Sequence, residues 1–127
     1  MGSPDKSSTF ISSFSYALSG ILMALKTERN MRFHFISSIL VLGMSSYFSI
    51  TKVEWIFILF IIGGMFALEL MNSAIERVVD LVTLDYHPLA KQAKDLAAGA
   101  VLLYAALAIV VGIIIFSPYV IRLFSEI

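Results

Sequence analysis

Residues 96–116 read LAAGAVLLYAALAIVVGIIIF, and the phenol of Tyr104 is the only side chain in this run that can ionise. A helix rises about 1.5 Å per residue, so a run of this length spans a bilayer hydrocarbon core of roughly 30 Å. Backbone polar groups in lipid must find hydrogen-bond partners within their own segment, which favours a helix. The run therefore predicts a transmembrane helix.

Two further apolar runs precede it and predict two more spans, at residues 33–50 and 53–72. Apolar residues make up 59% of the 127 residues, against roughly 45–50% in soluble domains. A soluble domain this small could not bury so much apolar surface, because small domains bury the smallest fraction of their chain. The sequence thus predicts an all-α membrane protein, a single domain over residues 1–127 with three transmembrane helices.

The residues before the first span predict an amphipathic helix on the membrane surface, over about residues 8–29. At roughly 100° per residue, its large apolar side chains fall within an arc about 80° wide, with serines and Lys26 on the opposite side. The apolar side chains are those of Phe10, Phe14, Leu18, Ile21 and Leu25. A helix of this kind lies in the plane of the inner leaflet.

The basic residues predict the orientation in the cell membrane. Of the nine lysines and arginines, only Lys52 and Arg122 lie on the far side of the predicted spans. Cytoplasmic segments carry the excess of basic residues, so we expect the N-terminus and the 80–95 loop in the cytoplasm and the C-terminus outside. The formal net charge is zero and no basic tract occurs, which argues against a nucleic-acid partner. The chain has no cysteine, which excludes a disulfide, a thiolate nucleophile or a cysteine-ligated metal.

A polar stripe follows the second apolar run. Glu69, Asn72, Glu76 and Asp80 are spaced at i, i+3, i+7 and i+11, within about 80° of one another on a helix. Leu70, Met71, Ile75, Val78 and Val79 point elsewhere. Three acids in one stripe repel each other, so we expect a cationic ligand beside them.

The depth of the stripe favours a functional role. If Trp55 marks the outer interface, a core of roughly 30 Å ends near Ala74, which puts Glu69 and Asn72 at the edge of the hydrocarbon. An ionisable residue at that depth is costly and is a functional candidate by default. The alternative is a short, tilted span in which Glu69 extends into the headgroups.

Glu28 supplies a further acid, where the surface helix meets the first span. Mg²⁺ is usually held by one or two carboxylates together with substrate phosphates. His87 and Lys94 lie on the same predicted side of the membrane, and a lysine can act as a point charge on phosphates. The positive-inside rule explains these basic residues equally well without any chemistry. Neither a Walker A sequence nor a protein-kinase loop occurs.

Taken together, these residues resemble the prokaryotic diacylglycerol kinase family of integral-membrane kinases. The motif that carries the resemblance is Glu69-x-x-Asn72-Ser73-Ala74-Ile75-Glu76-x-x-x-Asp80, followed by His87 and by Ala93-Lys94-Asp95-x-Ala97-Ala98-Gly99-Ala100-Val101. Residues 27–34 and 87–91 resemble the Gram-positive branch, whose members favour undecaprenol over diacylglycerol.

The resemblance implies transfer of the γ-phosphate of ATP to a lipid hydroxyl, with Mg²⁺ required. It implies Glu69 as the general base, Glu28 and Glu76 as metal-binding carboxylates, and Asp80 as a supporting residue. The positions that it implies near the nucleotide are Tyr16, Glu28, Asn72, Glu76, Asp85, Tyr86, His87, Lys94 and Asp95. Some relatives carry an arginine at the position of Thr9, so that contact with phosphate and lipid is not expected here.

The resemblance also implies a homotrimer with active sites shared between neighbouring subunits. Burial gives an independent reason to expect assembly, since a lone subunit has few helices with which to cover Glu69, Asn72 and Glu76. The small residues at 97–100 permit close helix approach. We expect Glu28 or the surface helix of one subunit to complete the acidic site of another. Three alternatives stay open: diacylglycerol as the acceptor, a membrane scaffold protein, and a transporter subunit.

Overall fold

The computed structural model describes residues 9–127, which form four helices. They are α1 (Phe10–Thr27), α2 (Arg29–Tyr47), α3 (Lys52–Val82) and α4 (Pro88–Ser125). The predicted all-α architecture is confirmed over this part of the chain. Ser8, the first residue of the predicted surface helix, lies outside the described residues.

Three of the helices, α1, α3 and α4, are long and apolar enough to cross a membrane. This set differs from the prediction at one point. The sequence predicts the first span at residues 33–50, which overlap α2, and predicts that α1 lies on the membrane surface. Arg29, Asn30, Arg32 and His34 occupy the first turns of α2 and lower its hydropathy. Length and composition therefore select α1 instead, and the surface position of α1 stays a prediction.

The turn between α2 and α3 shortens the first apolar run. Ser49 has a φ of 49°, in the left-handed region, so helical backbone cannot continue to residue 50. Thr51 and Glu54 then start α3 with a capping box: the backbone N–H of Glu54 donates to the Thr51 hydroxyl (3.2 Å), and that of Thr51 donates to Glu54 (3.0 Å). Helix α2 thus ends at Tyr47, before the end of the predicted span, whose bounds stay a prediction.

Helices α3 and α4 extend beyond the predicted spans at the end where the polar stripe lies. Residues 83–87 connect α3 to α4, and α4 begins at Pro88, whose fixed φ and missing N–H suit the first helical position. The ring of His87 caps this helix by accepting a hydrogen bond from the backbone N–H of Leu89 (3.1 Å). The 31 residues of α3 therefore carry the whole stripe on one continuous helix.

Helix α3 lies at the centre of the chain, with α2 and α4 packed against it. The buried core lies at the end of α3 remote from the stripe and consists of Ile50, Ile58, Ile115 and Phe116. At mid-length the Tyr104 hydroxyl donates to the carbonyl of Phe60 (2.7 Å). A Cβ on Gly64 would come within 2.0 Å of the Tyr104 oxygen, so Gly64 permits this close approach of α3 and α4.

Candidate active site

The polar stripe on α3 is buried at one end and exposed at the other. Glu69 is 2% exposed and Asn72 is 8% exposed, whereas Glu76 and Asp80 are exposed. The single chain therefore covers Glu69 and Asn72 but leaves Glu76 exposed, and assembly with other subunits stays a prediction. The covering elements are the ends of α1 and α2, which meet against this part of α3.

Glu28 forms the junction between α1 and α2. Its extended backbone (φ −114°, ψ 123°) ends one helix and begins the next. The carboxylate crosses to α3, where it accepts hydrogen bonds from the Ser73 hydroxyl and from the Arg77 guanidinium, the latter at 2.8 Å. Glu28 thus lies beside the stripe of its own chain. The sharing of sites between subunits stays a prediction.

A polar cleft of about 420 Å³ opens between the α1–α2 junction and α3. The four stripe residues and Glu28 all contribute to its wall. The complete lining is Thr27, Glu28, Arg29, Asn30, Glu69, Asn72, Ser73, Glu76, Arg77 and Asp80. The predicted catalytic residue and both predicted metal-binding carboxylates therefore face one cavity.

Ser73 and Arg77, which contact Glu28, and His34 are residues at this site that are not among the predicted site residues. The Nε2 of His34 lies 3.8 Å from Oε2 of Glu69, and both side chains are largely buried. The signal in the sequence is a histidine at the start of an apolar run. A histidine in that position is equally compatible with a packed interface, so only the fold shows that it lies beside Glu69.

Asn72 contributes an oxygen with spare bonding capacity. Among the described residues, its Oδ1 is buried and has no hydrogen-bond partner. A buried carbonyl oxygen without a donor costs roughly 1–3 kcal/mol of stability, so such atoms are rare in folded proteins. Asn72 lines the cleft, and a cation or a hydrogen-bond donor on a bound substrate would satisfy this oxygen.

A second cleft of about 360 Å³ adjoins the first, at the turn between α3 and α4. The predicted nucleotide positions Asp85, Tyr86, His87, Lys94 and Asp95 all line it. The ammonium group of Lys94 pairs with Asp80 (2.7 Å), and Lys91 pairs with Asp95 (2.5 Å). Asp80 lines both clefts, so they form one polar surface along α3.

Tyr16 is the predicted site residue that the chain does not bring to either cleft. Its side chain on α1 is 60% exposed and lines neither cavity. All the other predicted site residues line one cleft or the other.

The donor set of the first cleft fits a hard divalent cation. Glu28, Glu76 and the free oxygen of Asn72 are oxygen donors, the ligand type that Mg²⁺ prefers. Residues 9–127 contain no group of three or more acids or histidines placed to hold a metal ion by themselves. Such a set suits an ion that takes its remaining ligands from the phosphates of a nucleotide.

Comparison with known proteins identifies the family. The model of the family described as prokaryotic diacylglycerol kinase matches residues 15–116 of this chain. The chain belongs to this family. It is therefore a lipid kinase, and the predicted resemblance is confirmed. Membership decides for an enzyme over the scaffold and transporter alternatives.

Relatives of this kinase are named either undecaprenol kinase or diacylglycerol kinase. A protein from Bacillus subtilis named undecaprenol kinase is 47% identical over 109 residues, which cover 86% of this chain and 89% of the relative. A diacylglycerol kinase from Synechocystis is 43% identical over 101 residues, or 79% of this chain and 58% of the relative. A diacylglycerol kinase from Haemophilus influenzae is 34% identical over 100 residues, or 79% of this chain and 83% of the relative.

Proposed function

We propose that this kinase transfers the γ-phosphate of ATP to the hydroxyl of undecaprenol, with Mg²⁺ as the cofactor. The observation that carries the proposal is the gradient of burial along one polar stripe. Glu69 is buried at the level of the apolar segments, and Glu76, about 10 Å further along the axis of the same helix, is exposed. One side of the site can meet a lipid hydroxyl while the other meets a nucleotide from water.

Glu69 is the proposed general base. Its carboxylate accepts the proton of the lipid hydroxyl as the lipid oxygen bonds to the γ-phosphorus and the bond from that phosphorus to the bridging oxygen breaks, which releases ADP. The Nε2 of His34 lies 3.8 Å from this carboxylate. Phosphoryl transfer depends mainly on positioning and charge neutralisation, so this site needs few other groups.

The nucleotide occupies the exposed end of the stripe in this proposal. Glu28 and Glu76 would hold Mg²⁺, which neutralises phosphate charge when bound. Lys94, now paired with Asp80, is a cation within reach of the same surface. Asp85, Tyr86, His87 and Asp95 supply the remaining wall of the second cleft, against which the rest of the nucleotide would lie.

Undecaprenol is the proposed acceptor because the relative with 47% identity bears that name. Diacylglycerol is the second candidate, since the relatives from Synechocystis and Haemophilus influenzae are named for it. The two acceptors differ in the number of hydrocarbon chains, which makes a direct comparison informative.

The proposed assembly is a homotrimer in the cell membrane, with α1 on the inner surface, α2, α3 and α4 as spans, and the C-terminus outside. Tyr16 supports sharing of sites through α1, because its exposed side chain lines neither cleft of its own chain. The exposed apolar residues of α1, such as Phe10 and Phe14 (96% and 71% exposed), also need a cover of lipid or protein.

The test is an acceptor comparison with the purified protein in mild detergent. ATP consumption is measured with undecaprenol, with a diacylglycerol, and with no lipid, each with and without Mg²⁺. We expect phosphorylation that requires both lipid and metal and that favours undecaprenol in kcat/KM. Equal or better use of the diacylglycerol would reverse the choice of acceptor, and lipid-independent ATP consumption alone would defeat the proposal.

A further inference from the structure

An apolar groove continues from the buried end of the stripe, along α3 between α2 and α4. Its volume is about 210 Å³. The floor is formed by Ile58, Ile61, Ile62 and Met65 of α3. The walls are α2 from His34 to Met44 and α4 from Ala108 to Phe116. The groove is almost wholly hydrocarbon along its length.

The two ends of the groove differ. His34 lines one end and also lies 3.8 Å from Glu69, so the groove leads to the proposed base. Phe116 lines the other end and packs near Phe48 (6.3 Å between ring centroids), which in turn stacks on Tyr119 (5.6 Å). These aromatic rings close the space between α2 and α4. The groove thus has a reactive end and a blocked end.

The length of the groove limits what can fill it. Ile58 and Glu69 are eleven residues apart on α3, which corresponds to about 16 Å along the helix axis. An occupant therefore needs an extended hydrocarbon chain with a polar group at the end nearest Glu69. A lipid alcohol has this form.

We propose that the groove binds one hydrocarbon chain of the acceptor lipid, with the hydroxyl end at Glu69 and His34. This inference rests on the proposed function and adds the site that selects the acceptor. A single-chain alcohol such as a polyprenol places its first few isoprene units in the groove and leaves the rest in the bilayer. A diacylglycerol carries two chains next to its hydroxyl, and only one of them can enter.

Gly112 is a position at which a side chain can be added to the groove. It lines the groove, and a Cβ added to it meets no atom within 4 Å. The pairs Lys94–Asp80 and Tyr119–Glu54 fix the antiparallel register of α3 and α4. That register puts Gly112 level with residues 61–62, about 11 Å from Glu69 along the helix axis. A long chain must pass Gly112, whereas an alcohol with one isoprene unit ends before it.

The experiment compares Gly112→Ala and Gly112→Leu with the wild type on undecaprenol, on a diacylglycerol and on dimethylallyl alcohol, which has one isoprene unit. Gly43→Leu is the matched control, because Gly43 is exposed on α2, also has open space at its Cβ and does not line the groove. We expect Gly112→Leu to raise the KM for undecaprenol about tenfold or more, Gly112→Ala to raise it less, and the rate with dimethylallyl alcohol to stay within about twofold.

Each possible result of this experiment leads to a different conclusion. Unchanged KM for undecaprenol in Gly112→Leu, or an equal loss with the long and the short alcohol, would overturn the groove assignment. A larger effect on the diacylglycerol than on undecaprenol would overturn its selection of single chains. A change in oligomeric mass with Gly112→Leu but not with Gly43→Leu would mean that a second copy of this chain fills the groove. A wild-type protein inactive on every lipid would defeat the proposed function itself.

Discussion

Glu54 and Glu69 lie toward opposite ends of α3 and have opposite surroundings. Glu54 accepts hydrogen bonds from the backbone N–H of Thr51 (3.0 Å) and from the Tyr119 hydroxyl (2.5 Å). Glu69 is more deeply buried, yet its contact with His34, at 3.8 Å, is longer than a hydrogen bond. Asn72, the next residue of the stripe and three positions along the chain from Glu69, keeps a buried oxygen without a hydrogen-bond partner among the described residues.

The difference separates an acid that is bound into the fold, Glu54, from the acid proposed as the general base, Glu69. Glu54 spends its hydrogen-bonding capacity on the start of α3 and on the contact with α4. At the stripe end of α3, the Asn72 oxygen can still accept a hydrogen bond, and the acids of the stripe face cavities. Both features allow a ligand to bind there. Hydrogen-bond partners, more than burial or charge alone, distinguish the two ends of α3.

The largest expected effect is on catalysis. Glu69→Gln should lower the phosphorylation rate by about 10²-fold or more, because it removes the proposed base while keeping the size of the side chain. Glu54→Gln is the matched control and should keep activity per folded molecule near the wild-type value. Both are measured as kcat at saturating lipid, with assembly checked by mass in detergent. Near wild-type activity of Glu69→Gln would contradict the proposed difference in function between Glu54 and Glu69.

Mixed oligomers test whether Tyr16 of one subunit completes the site that contains Glu69 of another. Tyr16→Ala and Glu69→Gln subunits, each weakly active alone, should recover part of the activity when they are co-assembled, since some sites would combine an intact Glu69 with an intact Tyr16 from a neighbour. Glu28→Ala with Glu69→Gln should show no recovery, because both residues line one cleft in one chain. Recovery by the second pair would mean that Glu28 acts between subunits after all.

Metal dependence gives a smaller, graded effect. Glu28→Ala and Glu76→Ala should each raise the Mg²⁺ concentration required for half-maximal rate, by about tenfold, because each removes one of two proposed carboxylate ligands. Glu54→Ala should leave that concentration unchanged. Titration of the rate against Mg²⁺ checks this, and an unchanged midpoint in both cleft variants would remove these residues as ligands.

The smallest expected effect is on stability, at the end of α3 where Glu54 lies. Tyr119→Phe removes the hydroxyl that donates to Glu54 and should lower the stability only slightly, since the bond is partly accessible to solvent. Tyr47→Phe, with its ring 71% exposed, is the control. Thermal unfolding in detergent should show a lower midpoint for Tyr119→Phe alone, with kcat unchanged. Loss of activity at an unchanged midpoint would contradict the structural role of Glu54.

The sequence by itself determined the helical architecture, the family and the polar stripe. A continuous apolar run can satisfy its backbone only as a helix, and the spacing of Glu69, Asn72, Glu76 and Asp80 fixes their common face whatever packs against it. Pro88 likewise marked the start of α4 from its own covalent geometry.

Only the tertiary structure decided what surrounds the stripe. Glu28 and His34 reach it from α1 and α2 through the extended backbone at residue 28, a contact between positions more than 30 residues apart that no local pattern encodes. The burial of Glu69 within one chain and the groove that leads away from it follow from the same packing. Periodicity reports which side chains share a face of a helix, whereas the partner that covers that face is set by the packing of the helices.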